Sequence, residues 1–163
     1  MELSTVDILL RLVIALALGG LVGVERTLAG KTAGMRTYAL VALGSSLFVL
    51  ISQIVSAQFI GLTSFDPLRL ASQIIVGIGF IGAGLVFHNN QEMRISGLTS
   101  AAGLWVAAGI GMAAGFELYT LALVSALLTL LIFTLLWYVE RGFKKLSYGD
   151  DQAEKGNSER LHE

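Results

Sequence analysis

The chain has 163 residues, of which 55% are hydrophobic and only 14% are charged, and its formal net charge is −1. A soluble domain carries about 25% charged residues, so this composition argues against a soluble enzyme and against a disordered protein. The chain contains no cysteine, which excludes disulfides and thiolate metal sites. A net charge so close to zero gives no reason to expect nucleic acid as a partner.

The charged residues separate five apolar runs, each about 17 to 22 residues long. The runs cover residues 8–24, 37–55, 70–87, 98–115 and 118–139. As helices they would extend roughly 26 to 33 Å, close to the ~30 Å hydrocarbon core of a bilayer. The runs lack the alternation of polar and apolar residues that is typical of barrel strands. A membrane-spanning segment must then be a helix, because only a helix or a closed barrel pairs all backbone hydrogen-bonding groups in lipid. We therefore predict an all-α, polytopic membrane protein with five transmembrane helices in a domain of residues 1–139.

The distribution of lysine and arginine predicts the orientation of these helices. If the N-terminus lies outside, 9 of the 11 basic residues fall in inner segments, and only Arg11 and Arg69 lie on the outer half. Because basic residues accumulate on the cytoplasmic side, we predict an N-out, C-in topology in a bacterial-type plasma membrane. Residues 140–163 carry charges of both signs and predict a short, disordered cytoplasmic tail.

Many of the 19 glycines lie inside the apolar runs. Since small residues let helix backbones approach closely in lipid, the glycines of the third and fourth runs predict helix packing surfaces. These residues are Gly77, Gly79, Gly82, Gly84, Gly111 and Gly115. A second interpretation stays open, in which the third-run cluster exposes backbone carbonyls to a cavity or an ion.

Charged residues within a span need a partner, because burial at mid-helix costs about 2.5–3.5 kcal/mol. Arg11 either extends to the headgroups or pairs with an acid on the same side, and Asp66 is the candidate acid. Asp66 precedes Pro67, which is typical of a helix start, and Arg69 follows as a second basic partner. Asp66 is also the single carboxylate that we consider as a contact for Mg²⁺, which prefers oxygen ligands.

Polar residues elsewhere predict contacts between helices. Glu25 stands among basic residues, which predicts an ion pair with Arg26 or Arg36. Gln73 lies at membrane depth, where an interhelical hydrogen bond is the expected role. No His, Asp or Glu residues have catalytic or zinc spacing, so we expect neither an enzyme nor a bound cofactor, with Mg²⁺ considered only as a transported or sensed ion.

Several of these residues lie in motifs that resemble the membrane domain of the MgtC/SapB family. The motifs are GVER at 23–26, AGMRT at 33–37, DPLR at 66–69, GIGFIGAG at 77–84 and GLTSAAGLW at 97–105. The resemblance covers about residues 8–138 and implies a bacterial inner-membrane protein of magnesium homeostasis, acid tolerance and virulence. The polar residues that it marks as characteristic are Glu25, Arg26, Arg36, Thr37, Asp66, Arg69 and Thr99.

The resemblance implies two alternative functions. In the first, the protein serves magnesium or cation homeostasis, including Mg²⁺ transport in which Asp66 collects the cation and the third and fourth helices line its path. In the second, it is a non-transporting regulatory subunit that binds another membrane protein, such as the proton-driven ATP synthase. Five short helices enclose little space, so we expect a homodimer or larger homo-oligomer. Ser96 replaces an arginine usual in the family, and longer members add a soluble domain where this chain has a short tail.

Overall fold

A computed structural model of the protein describes residues 3–58, 66–87 and 96–136. Within these ranges the chain is helical, and the prediction of an all-α fold with five helices is confirmed. The helices are α1 (Thr5–Leu28), α2 (Met35–Gln58), α3 (Pro67–Phe87), α4 (Leu98–Gly115) and α5 (Tyr119–Leu131), and a π-helical turn (Ile132–Leu136) follows.

Four helical segments are long and apolar enough to cross a membrane. They are Thr5–Leu28, Met35–Gln58, Leu98–Gly115 and Tyr119–Leu136. The apolar part of α3, Ala71–Val86, is shorter than these four. Large apolar side chains also lie on the outside, as with Phe80, which is 84% exposed. Such an apolar exterior suits a multi-pass membrane protein in contact with lipid, whereas the N-out, C-in orientation stays a prediction.

The start and end of α1 have defined local causes. Ser4 is the N-cap: its Oγ accepts from Asp7 N at 3.2 Å, and Asp7 Oδ2 accepts from Ser4 N at 3.2 Å. This capping box satisfies first-turn N–H groups that otherwise have no acceptor. At the other end, Gly30 adopts a φ of +65°, which glycine allows at little cost. The helix therefore extends beyond the apolar run 8–24 at both ends.

The chain divides into two compact units, Met1–Leu130 and Leu131–Glu163. In the first unit α2 contacts α1, α3 and α4, while α4 also contacts α1 and α3. In the second unit the structure describes only residues 131–136, where Thr134 Oγ1 donates to the Leu131 carbonyl at 3.4 Å. The predicted tail 140–163 and the last residues of the fifth apolar run lie outside the described residues.

Helices α1, α2 and α4 form a closely packed group, which we call the three-helix core. A Cβ added to Gly19 would lie 2.6 Å from Ala42 Cβ, and one added to Gly115 would lie 2.8 Å from Val49 Cβ. A Cβ at Gly111 would overlap the backbone carbonyl of Ala42. These three glycines thus bring the backbones of α1 and α4 directly against α2, as expected for small residues in lipid.

The glycines of α3 differ from those of the three-helix core. Among the described residues, a Cβ at Gly77, Gly79 or Gly84 would meet nothing within 4 Å. Only Gly82 has a neighbour, since its Cβ would lie 3.5 Å from Ala101 Cβ on α4. Within the described part of one chain, Gly82 is thus the predicted packing glycine of α3 that contacts another helix, and packing at the other three stays a prediction. The physical reason is that only the side of α3 carrying Gly82 faces α4.

Candidate functional site

The polar contacts of the first unit lie near the two ends of the bundle. The Arg11 end contains the start of α1, the end of α2 and the end of α4, which contact one another through Arg11. The Arg26 end contains the end of α1 and the starts of α2 and α4. There, Tyr38 Oη donates to the Ser100 carbonyl at 3.2 Å.

Arg11 connects three parts of the fold at its end of the bundle. Its side chain is only 3% exposed, and its Nη1 donates to Gln53 Oε1 at 2.8 Å and to the Gly115 carbonyl at 3.0 Å. Its Nη2 donates to Glu117 Oε1. The Gly115 carbonyl belongs to the C-terminal end of α4, where the helix dipole favours a cation. The guanidinium thereby joins α1, α2 and the turn after α4.

The partner predicted for Arg11 is corrected by this arrangement. Its carboxylate partner is Glu117 rather than Asp66. Glu117 has a φ of +64°, a left-handed conformation that reverses the chain directly after α4 and brings the carboxylate back to α1. Asp66 is exposed before α3, and its carbonyl accepts from Arg69 N at 3.1 Å. The guanidinium of Arg11 is buried in this structure, so the alternative in which it extends to the lipid headgroups is also not observed.

At the opposite end, Arg26 pairs with its neighbour in sequence. Arg26 Nε donates to Glu25 Oε2 at 2.5 Å, and Arg26 is only 3% exposed. Of the two partners predicted for Glu25, the structure brings Arg26 to it. A charge-assisted bond of this kind is about twice as strong as a neutral one, which helps to offset the burial of Arg26.

A threonine that the sequence reading did not single out connects α1 to α2. Thr27 Oγ1 donates to the Gly23 carbonyl at 3.1 Å and accepts from Met35 N at 2.8 Å. Gly34 precedes α2 and has no side chain to cap it, so Thr27 from α1 supplies the acceptor. A glycine directly before a helix signals that a cap must come from elsewhere, although the sequence does not say from where.

Helices α2 and α3 enclose a cleft of about 660 Å³. Arg36 and Thr37 line it on the first turn of α2, and Gln73 lines it on α3. The cleft also contains Ser45 and two glycines that leave space, Gly44 and Gly77. Three of the predicted polar residues are thus brought together here.

The remaining predicted residues lie at the starts of α3 and α4. Asp66 and Arg69 are exposed at the start of α3, and Thr99 is exposed at the start of α4. Across residues 3–58, 66–87 and 96–136, no three His, Asp or Glu residues are grouped so that they could hold a metal ion. The predicted site residues therefore form several local arrangements rather than one site.

Comparison with known proteins identifies the family. The model of the MgtC family matches residues 12–142, which is most of the chain. The chain belongs to the MgtC family. The helices and motifs described above therefore belong to the MgtC-type membrane region, as the sequence resemblance implies.

Several curated relatives of this MgtC-family chain are of similar identity. "Putative magnesium transporter YhiD" of Escherichia coli K12 is 42% identical over 130 residues, which cover 78% of this chain and 60% of the relative. Protein SrpB of Synechococcus elongatus is 37% identical over 83% of this chain and 74% of its own length. Protein MgtC of Brucella abortus is 40% identical over 75% of this chain and 48% of its own length.

The chain therefore spans 48 to 74% of the lengths of these three relatives. No solved structure matches the chain.

Proposed function

We propose that this MgtC-family protein acts in the homeostasis of magnesium or another cation in a bacterial inner membrane. The observation that carries the proposal is the 42% identity to the Escherichia coli relative whose name refers to magnesium transport. The four long apolar helical segments support a multi-pass membrane location. The proposal has a transporting and a non-transporting form, which make different predictions.

In the transporting form, Mg²⁺ crosses the membrane along α3. Asp66 is exposed at the start of this helix and offers an oxygen ligand for the cation. Among the described residues, no atom lies within 4 Å of a Cβ placed at Gly77, Gly79 or Gly84 of α3, whereas Gly111 and Gly115 of α4 lie against α2. The open positions on α3 favour a path that runs between two copies of the protein.

In the non-transporting form, the protein is a regulatory subunit that binds another membrane protein. Two observations favour this second candidate. The described residues contain no group of three possible metal ligands, and their carboxylates lie near helix ends rather than at mid-membrane. In addition, a partner helix could approach the α3 backbone at Gly79 or Gly84, which have open space around them among the described residues.

Growth at limiting magnesium tests the function that both forms share. Deletion of the gene should slow growth and lower cellular magnesium in medium with little Mg²⁺, and the intact protein should restore both. Growth of the same two strains in medium with abundant Mg²⁺ is the control, since the supply of magnesium does not limit growth there. Equal growth and equal cellular magnesium in the two strains at limiting Mg²⁺ would refute the proposal.

Magnesium flux into liposomes separates the two forms. In the transporting form, purified protein should admit Mg²⁺ to an enclosed fluorescent indicator, and Asp66→Asn should abolish this flux. Asp7→Asn is the matched control, because Asp7 is also an exposed acid at a helix start. Absence of flux, together with a membrane protein that copurifies in mild detergent, supports the regulatory form instead.

A further inference from the structure

The cleft between α2 and α3 has a basic end and apolar walls, and neither form of the proposed function assigns a role to them. Its volume of about 660 Å³ lies in the range of ligand-binding pockets. The walls are mainly branched aliphatic and aromatic side chains, among them Leu40, Val41, Phe48, Ile74 and Ile78. An apolar chain can therefore lie between the two helices.

Two glycines on facing helices make room in this cleft. Gly44 belongs to α2 and Gly77 to α3, and both line the cavity. Among the described residues, a Cβ at either position would meet nothing within 4 Å. The cleft is thus a space kept open by missing side chains, in contrast to the contacts that Gly111 and Gly115 make with α2.

The charge of the cleft is positive and lies at one end. Arg36 is the charged residue on the lining among the described residues, and it is exposed on the first turn of α2. First-turn N–H groups lack intrahelical acceptors, and the helix dipole adds partial positive charge there. The N–H of Met35 is taken by Thr27 Oγ1, which leaves those of Arg36 and Thr37 beside the guanidinium. Glu25, an acid at the same end, is held by Arg26.

The length of the cleft corresponds to one leaflet of a bilayer. Arg36 and Phe48, both on its lining, are separated by 12 positions on α2. This separation is about 18 Å along a helix. One leaflet contributes half of a hydrocarbon core that is about 30 Å thick. A headgroup at Arg36 would thus place an acyl chain along the apolar walls.

We propose that the α2–α3 cleft binds an anionic phospholipid, with the phosphate on Arg36 and one acyl chain between α2 and α3. Basic pockets between transmembrane helices are suited to acidic lipid headgroups, and this cleft joins such a charge to an apolar groove of matching length. A second cavity of about 270 Å³, lined by Trp105, Leu121 and Ser125 among others, has no charged residue on its described lining. Charge complementarity therefore distinguishes the α2–α3 cleft.

The headgroup contact is tested by native mass spectrometry of the full chain. The protein is extracted in detergent with equal amounts of phosphatidylglycerol and phosphatidylcholine, and the bound lipid is identified. The intact protein should retain phosphatidylglycerol preferentially, and Arg36→Gln should weaken this preference about tenfold, since a charged hydrogen bond is lost. Lys31→Gln is the matched control, because Lys31 is an exposed cation between α1 and α2 that does not line the cleft.

The acyl-chain contact is tested by filling the cleft. Gly77→Leu should abolish retention of both lipids because its side chain occupies the space of the acyl chain. Gly79→Leu is the matched control: Gly79 lies on the same helix with open space around it but does not line the cleft. Gly44→Leu fills the cleft from α2 and provides a second variant if Gly77→Leu does not fold.

Three results would overturn the proposal. They are equal retention of the two lipids by the intact protein, equal effects of Arg36→Gln and Lys31→Gln, and unchanged retention in both folded cleft-filling variants.

A separate experiment tests whether a second copy of the protein occupies the cleft instead of a lipid. Because the chain has no cysteine, Gly77→Cys introduces a single thiol. Disulfide-linked dimers formed equally with and without added lipid would assign the cleft to another copy of the protein.

Discussion

Helices α3 and α4 each contain four glycines. Two of those on α4 lie directly against α2, whereas three of those on α3 have open space among the described residues. On α4, a Cβ at Gly111 would overlap the Ala42 carbonyl, and Gly115 lies directly against Val49. On α3, positions 77, 79 and 84 have space for a side chain among the described residues. The comparison shows that a glycine in a membrane helix is a packing residue only where its face meets another backbone.

Two of the three arginines of the three-helix core differ from Arg69 of α3 in the same way, whereas Arg36 at the start of α2 is exposed. Arg11 and Arg26 of the three-helix core are each only 3% exposed and have carboxylate partners. Arg69 of α3 is exposed. We therefore expect substitutions in the three-helix core to change stability, and equivalent substitutions on α3 to leave stability nearly unchanged.

The sharpest contrast is expected between two glycine-to-alanine substitutions. Gly111→Ala should destabilise the fold by about 3 kcal/mol or more, because the methyl group forces α2 and α4 apart. Gly79→Ala should be neutral or stabilising by up to about 1 kcal/mol through its higher helix propensity. Thermal unfolding of both purified variants in the same detergent measures the difference. Equal losses would show that α3 is as closely packed as α4.

The next largest effect is expected at Arg11. Arg11→Met should destabilise the protein by about 2 kcal/mol, because Gln53 and the Gly115 carbonyl lose a charged donor. Arg69→Met on α3 should stay within about 0.5 kcal/mol of the intact protein, as for an exposed surface residue. Chemical unfolding in detergent provides the comparison.

The same measurement distinguishes the two acids considered for Arg11. Glu117→Gln should lower stability, because the Arg11 guanidinium loses its charged acceptor. The effect should be smaller than that of Arg11→Met, since Glu117 is 55% exposed and is partly screened by solvent. Asp66→Asn should have little effect, since asparagine also serves at a helix start. A larger loss for Asp66→Asn than for Glu117→Gln would contradict the pairing.

A smaller effect is expected at the connection between α1 and α2. Thr27→Val should cost about 1 kcal/mol, because Met35 N loses its acceptor, whereas Thr27→Ser should retain most of the stability. Ser72→Ala on α3 is the matched control: its exposed hydroxyl donates to the Arg69 carbonyl at 2.7 Å within the same helix. Proteolysis of the α1–α2 connection measures local opening. Similar protection of Thr27→Val and the intact protein would exclude this capping role.

The sequence predicts the helices well because their determinants are local. Residues 98–115 are both the fourth apolar run and α4. Helix α1 exceeds its apolar run because a helix begins at its cap rather than at its first apolar residue, and Ser4 with Asp7 provides that cap. Apolar runs therefore identify spans, whereas capping residues determine where the helices begin.

The tertiary partners could not be predicted in the same way. Asp66 and Glu117 are both acids at ends of predicted spans on the side of Arg11, and the sequence gives no means of choosing between them. The choice depends on the left-handed φ of Glu117, which the sequence does not reveal for a non-glycine residue. Likewise, the cleft depends on the separation of α2 and α3, although Gly44 and Gly77 provide a signal in retrospect.

The last comparison tests a single hydrogen bond inside the three-helix core. Tyr38→Phe should cost about 1 kcal/mol, because the Ser100 carbonyl loses the donor that joins α4 to α2. Gln73→Leu on α3 removes a polar group that is exposed, so it should leave the unfolding temperature unchanged or raise it. Thermal unfolding of the two variants at one detergent concentration measures both effects. A larger loss for Gln73→Leu would mean that α3 depends on polar contacts more than the three-helix core does, which would reverse the comparison.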